Sequence, residues 1–233
     1  MNGHSTPRRR KGDLPPIADR EFAHLRAQMV ERHVAAKGVS DPAVLEAMNE
    51  VPRHLFVPPA MAAKAYGGGA LPIGQQQTIS QPFIVGRMIE LLELTGSEKV
   101  LEVGTGTGYQ AVVLSRVAAR VFSIERHNDL AIRAVELIRR LRIHNVSVKV
   151  FDGTYGWSDQ APFDRIIVAA AAPEVPEPLL QQLARNGRMV LPIGPPGRQR
   201  LARVSKVATR VQIEDCGSAE FVPLVGRFGW KEP

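Results

Sequence analysis

A glycine-rich turn and an acid that follows it are the residues whose types and spacing most clearly indicate chemistry. The stretch VLEVGTGTGY, residues 100–109, is an apolar run that leads into glycines at 104, 106 and 108. Glycines permit a tight turn and let a ligand approach the backbone closely. Glu125 lies 21 positions after Gly104, near the spacing of about 20 residues at which an acid binds ribose hydroxyls. The pattern predicts a site for a nucleoside-containing cofactor.

Two details favour S-adenosylmethionine over a nicotinamide dinucleotide. The dinucleotide fingerprint is G-x-G-x-x-G, whereas the third glycine here comes one residue early. Glu102 stands just before the turn, where a carboxylate suits an ammonium and a sulfonium and would repel a pyrophosphate. A nicotinamide oxidoreductase therefore stays the weaker alternative.

A third acid follows a later apolar run, in Phe151-Asp152-Gly153. Asp152 is predicted to accept a hydrogen bond from the adenine amino group, beside Gly153 in the same pocket. The alternative is that Asp-Gly simply forms a turn, a common use of this dipeptide.

Metal and thiol chemistry find little support in the sequence. The histidines show no ligand spacing such as H-E-x-x-H, so we expect no metal site. Cys216 is the single cysteine and has no lysine or arginine beside it, which predicts an inert thiol and excludes an intramolecular disulfide.

The elements that position these residues alternate between helices and strands from residue 82 onward. Helices are predicted at 82–94, 109–118, 129–142 and 176–185, and strands at 100–103, 121–124, 146–151, 166–169 and 189–191. This alternation predicts an α/β fold with a doubly wound, mostly parallel sheet, similar to the Rossmann fold. Further strands are predicted at 200–213 and 219–228 with no strong helix between them, which favours an antiparallel C-terminal edge.

The segment before residue 82 is predicted to be a helical and loop extension. Phe22 to Val34 has helical spacing and ends near Gly38, and Asp41-Pro42 is typical of an N-cap and a first helical residue. Residues 55–79 are rich in proline and glycine and predict a loop. We divide the single domain, residues 21–233, into this extension (21–81), a cofactor-binding core (82–195) and C-terminal strands (196–233).

Composition describes an ordinary globular chain with a basic start. Of the net charge of +7, residues 1–20 carry five Lys/Arg against two Asp, and their composition predicts a disordered tail. No aromatic residues interleave these charges, so we expect no nucleic-acid partner. The sequence contains no apolar run of about 20 residues and no secretory leader. We therefore expect a cytoplasmic protein, without a membrane partner, that acts as a monomer.

Beyond these patterns, the sequence resembles the protein-L-isoaspartate O-methyltransferase family over about residues 22–228. The matching segments occur in the family's order: VPRHLFVP at 51–58, LPIG at 71–74, QTISQP at 77–82, VGTGTGY at 103–109, APFD at 161–164, GRMVLPIG at 187–194 and FVPLV at 221–225. The glycine-rich turn is shared by many methyltransferases, whereas the TISQP and LPIG segments are much more specific.

The resemblance implies transfer of a methyl group from S-adenosylmethionine, leaving S-adenosylhomocysteine, to the free α-carboxylate of L-isoaspartyl residues in damaged proteins and peptides. Ser80 matches the active-site serine; taken alone, it could equally be a helix N-cap before Pro82. Segments that hold the peptide match Ile73, Gly74, Val222, Pro223 and Leu224. The cofactor pocket is implied at Thr78, Ile79, Glu102, Gly104, Thr105, Gly106, Thr107, Gly108, Glu125, Arg126, Asp152 and Gly153.

Two departures from the family pattern leave questions for the structure. Gly68 stands where an acidic residue is common, inside a run of three glycines that could loosen the loop, and Val225 replaces a threonine. A methyltransferase acting on RNA or a small molecule, and a protein that keeps the fold without catalysis, remain the alternatives.

Overall fold

The computed structural model of the chain describes residues 20–207 and 210–232. The predicted basic tail lies outside the described residues, except for Arg20, where the first helix begins. Within the described ranges, none of the helices combines the length and the apolar character that crossing a bilayer requires.

The N-terminal region consists of two helices, short 3-10 turns and a small hairpin. The sequence predicted the two helices, but it predicted only a loop at 55–79, where the hairpin lies. Asp41 caps the second helix, since its carboxylate accepts hydrogen bonds from the backbone N–H groups of Ala43 and Val44. Gly38 ends the preceding turn in the left-handed conformation, with φ of 105°. The elements are α1 (Arg20–His33), α2 (Pro42–Glu50), β1 (Leu71–Gly74) and β2 (Gln77–Ile79), with 3-10 turns at Ala35–Lys37, Arg53–Phe56 and Pro59–Lys64.

A seven-stranded sheet with helices between most of its strands forms the rest of the molecule. Its elements are α3 (Pro82–Leu91), β3 (Lys99–Val103), α4 (Tyr109–Val117), β4 (Arg120–Glu125), α5 (Asn128–Arg140), β5 (Val146–Val150), β6 (Phe163–Val168), α6 (Glu177–Gln182), β7 (Leu183–Ile193), β8 (Arg200–Val207) and β9 (Arg210–Ser218). The strand order is β5-β4-β3-β6-β7-β8-β9, in which the first five strands are parallel and the last two antiparallel. The predicted mostly parallel sheet with an antiparallel C-terminal edge is confirmed.

Burial on both faces explains why the central strands are continuous apolar runs. In β3, Val100 belongs to one core cluster and Leu101 and Val103 to another, and all three are buried. A strand covered on both faces cannot alternate apolar with polar residues. The core therefore packs on both faces of the strand that leads into the predicted cofactor residues.

The predicted boundaries near the C-terminus were wrong in three places. Helix α6 ends at Gln182 because Leu183 already starts the long strand β7. The stretch predicted as one strand at 200–213 is divided between β8 and β9. Residues 219–228 form no strand of the sheet: the part around Pro223 pairs with Ala171 through Val222 O and Leu224 N, each at 2.8 Å, and residues 226–228 form a bend and a turn. Extended backbone that pairs with a loop has the same apolar spacing as a strand, so the sequence could not separate the two.

Candidate active site

A cavity of about 450 Å³ opens at the carboxyl edge of the parallel strands. Ligands of open α/β sheets bind at this edge, and the volume lies within the range of about 300–1,000 Å³ found for small-molecule and cofactor sites. Its lining includes these residues that the sequence predicted: Ile73, Thr78, Ile79, Ser80, Gly104, Thr105, Gly106, Thr107, Glu125, Arg126, Gly153, Val222, Pro223 and Leu224. Four predicted residues, Gly74, Glu102, Gly108 and Asp152, do not line it.

The glycine-rich turn after β3 has the backbone conformation that requires glycine. Gly104, Gly106 and Gly108 have φ of 96°, 56° and 93°, in the left-handed region that other L-residues rarely adopt. A Cβ on Gly106 would also lie 3.2 Å from Ile73 Cδ1, across the cavity. Gly108 precedes α4 and supports the turn from outside the cavity. The turn thus leaves bare backbone where a cofactor would pass.

Glu125, at the end of β4, is fixed by two backbone hydrogen bonds. Its Oε2 accepts from the N–H of Gly106 at 2.7 Å, and its Oε1 accepts from the N–H of His127 at 2.9 Å. The side chain lines the cavity although Glu125 is only 4 % exposed. A carboxylate held in this way keeps free lone pairs for a pair of ribose hydroxyls.

Glu102 is fully buried beneath the turn rather than exposed to the cavity. Ser123 Oγ donates to its Oε2 at 2.5 Å and lies 2.5 Å from Thr105 Oγ1. Its Oε1 is buried without a hydrogen-bond partner among the described residues. Burial raises the pKa of Glu102 to about 8, and the nearby charge of Glu125 acts in the same direction. The predicted contact with the ammonium of a cofactor stays a prediction.

Asp152 has the structural role that was the alternative for it. Its Oδ1 accepts from the N–H and the hydroxyl of Thr154 at 2.9 and 2.7 Å, and its Oδ2 accepts from the N–H of Arg227 at 2.8 Å. These bonds cap a turn and hold the C-terminal segment. Gly153 does line the cavity, and a Cβ there would lie 2.4 Å from Val103 Cγ1, so only glycine fits. The contact of Asp152 with adenine remains a prediction.

Ser80 lies on the loop between β2 and α3 and lines the same cavity as the glycine-rich turn. It is not the N-cap of α3: that position is Gln81, which makes no side-chain capping bond. Among the described residues, the Ser80 hydroxyl has no recorded hydrogen-bond partner. The hydroxyl is therefore available to a ligand, with Thr78 and Ile79 of the same loop beside it.

The opposite wall is the extended segment that holds Val222, Pro223 and Leu224. Its pairing with Ala171 places it along the cavity, next to the end of β6. Gly74 lies just outside, at the end of β1, where its φ of 96° turns the chain into the hairpin loop. Ile73 projects into the cavity from the same strand. The predicted peptide-binding segments thus face the predicted cofactor-binding turn.

The structure adds lining residues that the sequence did not single out. Tyr109 and Gln110 begin α4, directly after the glycines, so their position in the sequence could have suggested them. His127 lies two positions after Glu125, and its Nε2 is buried without a partner among the described residues. Glu232 lines the cavity from the C-terminal segment and forms an ion pair with Arg126. No local signal could have indicated that pair, which joins residues 106 positions apart.

The run of three glycines is packed at its centre. Gly68 lies against the His33 ring, and a Cβ on it would be 3.0 Å from His33 Nδ1. Before the glycines, Tyr66 is buried and its hydroxyl lies 2.7 Å from His54 Nδ1. Glycine at this position is therefore explained by close packing on α1.

The sheet order, the glycine-rich turn after β3 and the acid at the end of β4 together define a methyltransferase with a Rossmann-like fold. The sequence model of the family "Protein-L-isoaspartate(D-aspartate) O-methyltransferase" matches residues 25–229. The chain belongs to this family, whose members methylate isoaspartyl residues with S-adenosylmethionine.

Relatives and solved structures agree with this assignment. Proteins named protein-L-isoaspartate O-methyltransferase from Desulfosudis oleivorans and Geobacter metallireducens are 50% and 51% identical over 211 and 210 residues. These matches cover 91% and 90% of this chain and 96% and 97% of the relatives. A structure named protein-L-isoaspartate O-methyltransferase superposes with a TM-score of 0.79 at 30% identity, covering 88% of this chain and 67% of that one.

A Plasmodium falciparum structure is described as a beta-aspartate methyltransferase in complex with S-adenosyl-L-homocysteine. It has a TM-score of 0.71 and 25% identity, and the match covers 84% of this chain and 96% of that chain. The cavity found here fits such a cofactor, since its floor is bare glycine backbone and its wall carries a buried carboxylate.

Proposed function

We propose that this chain transfers a methyl group from S-adenosylmethionine to the free α-carboxylate of L-isoaspartyl residues in damaged proteins and peptides. The observation that carries the proposal is that Ser80, with a hydroxyl free of partners among the described residues, shares one cavity with the glycine-rich turn and Glu125. A single cavity can thus hold a methyl donor and an acceptor together. Family membership over residues 25–229 supports the same reaction.

On the cofactor side, the backbone of the turn would lie against the ribose and methionine parts of the cofactor. Glu125 would accept hydrogen bonds from the ribose hydroxyls, and Arg126 would flank it. Bound S-adenosylmethionine would supply the sulfonium methyl group. The remaining residues that we assign to this side are Thr78, Ile79, Glu102, Gly104, Thr105, Gly106, Thr107, Gly108, Asp152 and Gly153, of which Glu102, Gly108 and Asp152 would act from behind the lining.

On the acceptor side, the chemistry requires orientation rather than a base. A carboxyl group has a pKa near 4 and is already ionised at neutral pH. Ser80 would donate a hydrogen bond to one carboxylate oxygen and direct the other toward the methyl group. Holding two reactants in line can contribute on the order of 7–11 kcal/mol. Ile73, Gly74, Val222, Pro223 and Leu224 would hold the peptide around it.

Esterification would begin a repair because the methoxy group leaves the ester carbonyl as methanol, whereas a free carboxylate has no comparable leaving group. The following backbone amide can displace methanol and close a succinimide ring, whose opening returns some normal aspartyl linkage. This sequel needs no residue of the enzyme. The enzyme would therefore supply only the methylation, and the repair would depend on the chemistry of the released product.

We further propose that residues 21–233 act as one methyltransferase domain and as a monomer in the cytoplasm. We expect neither a nucleic-acid partner nor a metal cofactor. The absence of aromatic residues among the basic residues of positions 1–20 supports the expectation that nucleic acid is not a partner.

The experiment is transfer of tritium from labelled S-adenosylmethionine to two peptides that differ only in an L-isoaspartyl or an L-aspartyl linkage. Labelling of the isoaspartyl peptide alone is the expected result. A parallel reaction with RNA tests the alternative acceptor. Label in RNA alone, or cofactor binding with no label in either peptide, would contradict the proposal.

A further inference from the structure

Arg53 is a buried cation that has no anionic partner. Its residue is 0 % exposed, although arginine is almost never fully buried unless it is paired. No carboxylate among the side chains described, in residues 22–207 and 210–232, forms an ion pair with it; its partners there are carbonyl oxygens and an aromatic ring. An uncompensated buried charge is strongly unfavourable, which raises the question of what this charge serves.

The contacts of Arg53 place it directly behind the proposed acceptor site. Its Nη2 donates to the carbonyl oxygen of Ser80 at 2.7 Å, and its Nε donates to that of Ala65 at 2.9 Å. Its guanidinium lies over the Tyr109 ring, 4.8 Å from the centroid. Ser80 and Tyr109 both line the cavity, whereas Arg53 does not. The cation is thus one residue layer away from the cavity.

The charge of Arg53 is not neutralised by the side chains described around it. Arg53 Nη1 and Tyr109 Oη are both buried without a well-aligned hydrogen bond among the described residues, although the two side chains interact with each other. Burial raises the pKa of Tyr109, while the positive charges of Arg53 and Arg26 oppose that rise. Burial also lowers the pKa of Arg53, but a guanidinium remains protonated in proteins. The wall behind Ser80 is therefore electropositive, and no anion among the described side chains neutralises it.

We propose that Arg53 is the counter-ion of the acceptor carboxylate and a specificity-determining residue for charged acceptors. It acts through Ser80 and Tyr109 and does not touch the substrate. The inference rests on the proposed function, in which the carboxylate lies at Ser80. In a weakly polar interior such an attraction persists beyond contact distance, and solvent does not screen it.

The reaction removes the attraction that Arg53 provides. The acceptor is an anion before transfer and a neutral ester afterwards, so the cation favours the bound substrate over the bound product. An attraction that is stronger for the bound substrate than for the transition state lowers KM and does not raise kcat. We therefore expect Arg53 to act on KM and on release of the ester, with a smaller effect on kcat.

The test compares binding of two peptides in the presence of S-adenosylhomocysteine, one with L-isoaspartate and one with the neutral isoasparagine in its place. Wild type should prefer the carboxylate. In Arg53→Gln, which keeps a donor but loses the charge, that preference should fall about tenfold, because the electrostatic attraction to the carboxylate is lost. Arg53→Lys, which keeps the charge, should retain most of it. KM for the isoaspartyl peptide should rise in Arg53→Gln more than kcat falls.

Equal loss of affinity for both peptides in Arg53→Gln would assign Arg53 a purely structural role and overturn the proposal. Thermal unfolding and affinity for S-adenosylhomocysteine show whether the variant is folded. If it is not, the preference of wild type is measured at about 0.05 M and about 0.5 M salt, because a buried charge is hardly screened. Loss of the preference at high salt would assign it to surface charges and overturn the proposal. Absence of methyl transfer by wild type would instead contradict the proposed function.

Discussion

Glu125 Oε2 accepts a hydrogen bond from the backbone N–H of Gly106 at 2.7 Å, which ties the end of β4 to the glycine-rich turn after β3. The second carboxylate oxygen accepts from the N–H of His127, at the start of α5. One side chain therefore joins two strand ends and a helix start before any ligand is present. Such preorganisation reduces the entropy that a ligand must lose to order its site.

Replacing Glu125 with glutamine should weaken cofactor binding. The amide nitrogen cannot accept a hydrogen bond, so either Gly106 N–H or His127 N–H loses its partner and the remaining oxygen is less basic. Hydrogen bonds to charged groups contribute about 1.5–3 kcal/mol, so we expect Kd for S-adenosylhomocysteine to rise at least about tenfold, measured by calorimetry. The matched control is Glu46→Gln, at an exposed position on α2 outside the cavity lining. Unchanged affinity in Glu125→Gln would show that the carboxylate is not a ligand group.

Ser80→Ala should lower activity without affecting the fold. The Ser80 hydroxyl has no recorded partner among the described residues and caps no helix, so its removal breaks no internal hydrogen bond. We expect kcat/KM for an isoaspartyl peptide to fall at least about tenfold, because one orienting donor is lost. The melting temperature and the affinity for S-adenosylhomocysteine should match those of wild type.

Ser97→Ala provides the control for Ser80→Ala. Among the described residues, the Ser97 hydroxyl bonds only the nearby Thr95 hydroxyl, in a surface turn before β3. Wild-type kinetics in this control and in Ser80→Ala alike would remove Ser80 from the acceptor site. A large loss of stability in Ser80→Ala would mean that the serine has a structural partner.

Local patterns in the sequence predicted the glycine-rich turn and the acid at the end of β4 that line the cavity, and contacts distant in sequence account for what they missed. Gly104, Gly106 and Glu125 could be found because a strand end, a turn and the next strand end follow each other within about 25 residues, a spacing set by the fold. Arg53 lies 27 positions from Ser80, and Arg126 lies 106 positions from Glu232. No periodicity encodes such pairs.

Residues 219–228 show the same limit at the level of the backbone. Val222 and Leu224 alternate with Pro223 as in a strand, yet they pair with Ala171 beside the cavity. The resemblance to a family, rather than the alternation, led us to predict these residues as part of the site, and they line the cavity. Their position beside the cavity therefore depends on the loop with which they pair, and the pattern of a single sequence does not reveal that pairing.

The pKa of Glu102 predicts how stability changes with pH. In the folded protein this buried acid keeps its proton up to about pH 8, whereas the ordinary value is 4.5. Between these values the folded state binds more protons than the unfolded state. The free energy of unfolding should therefore fall as pH rises through this window, because unfolding releases the proton of Glu102.

Glu102→Gln isolates this effect, since the amide oxygen can still accept from Ser123 but has no proton to lose. We expect the variant to gain stability relative to wild type between about pH 5 and pH 8, measured by urea unfolding of both proteins without cofactor. Unfolding curves that change in parallel across this range would show that Glu102 ionises equally in both states.

Gly68→Ala should destabilise the protein, whereas Gly69→Ala should not. A Cβ at Gly68 would lie 3.0 Å from His33 Nδ1 and 3.2 Å from Cγ of the same ring, while a Cβ at Gly69 meets nothing within 4 Å. Relieving the contact requires the His33 ring to move away from residue 68. Such overpacking costs about 1–3 kcal/mol. For a domain of this size, about 1 kcal/mol lowers the melting temperature by roughly 2–4 °C. Equal melting temperatures for the two variants would mean that His33 yields freely, and that the glycine at 68 has no packing role.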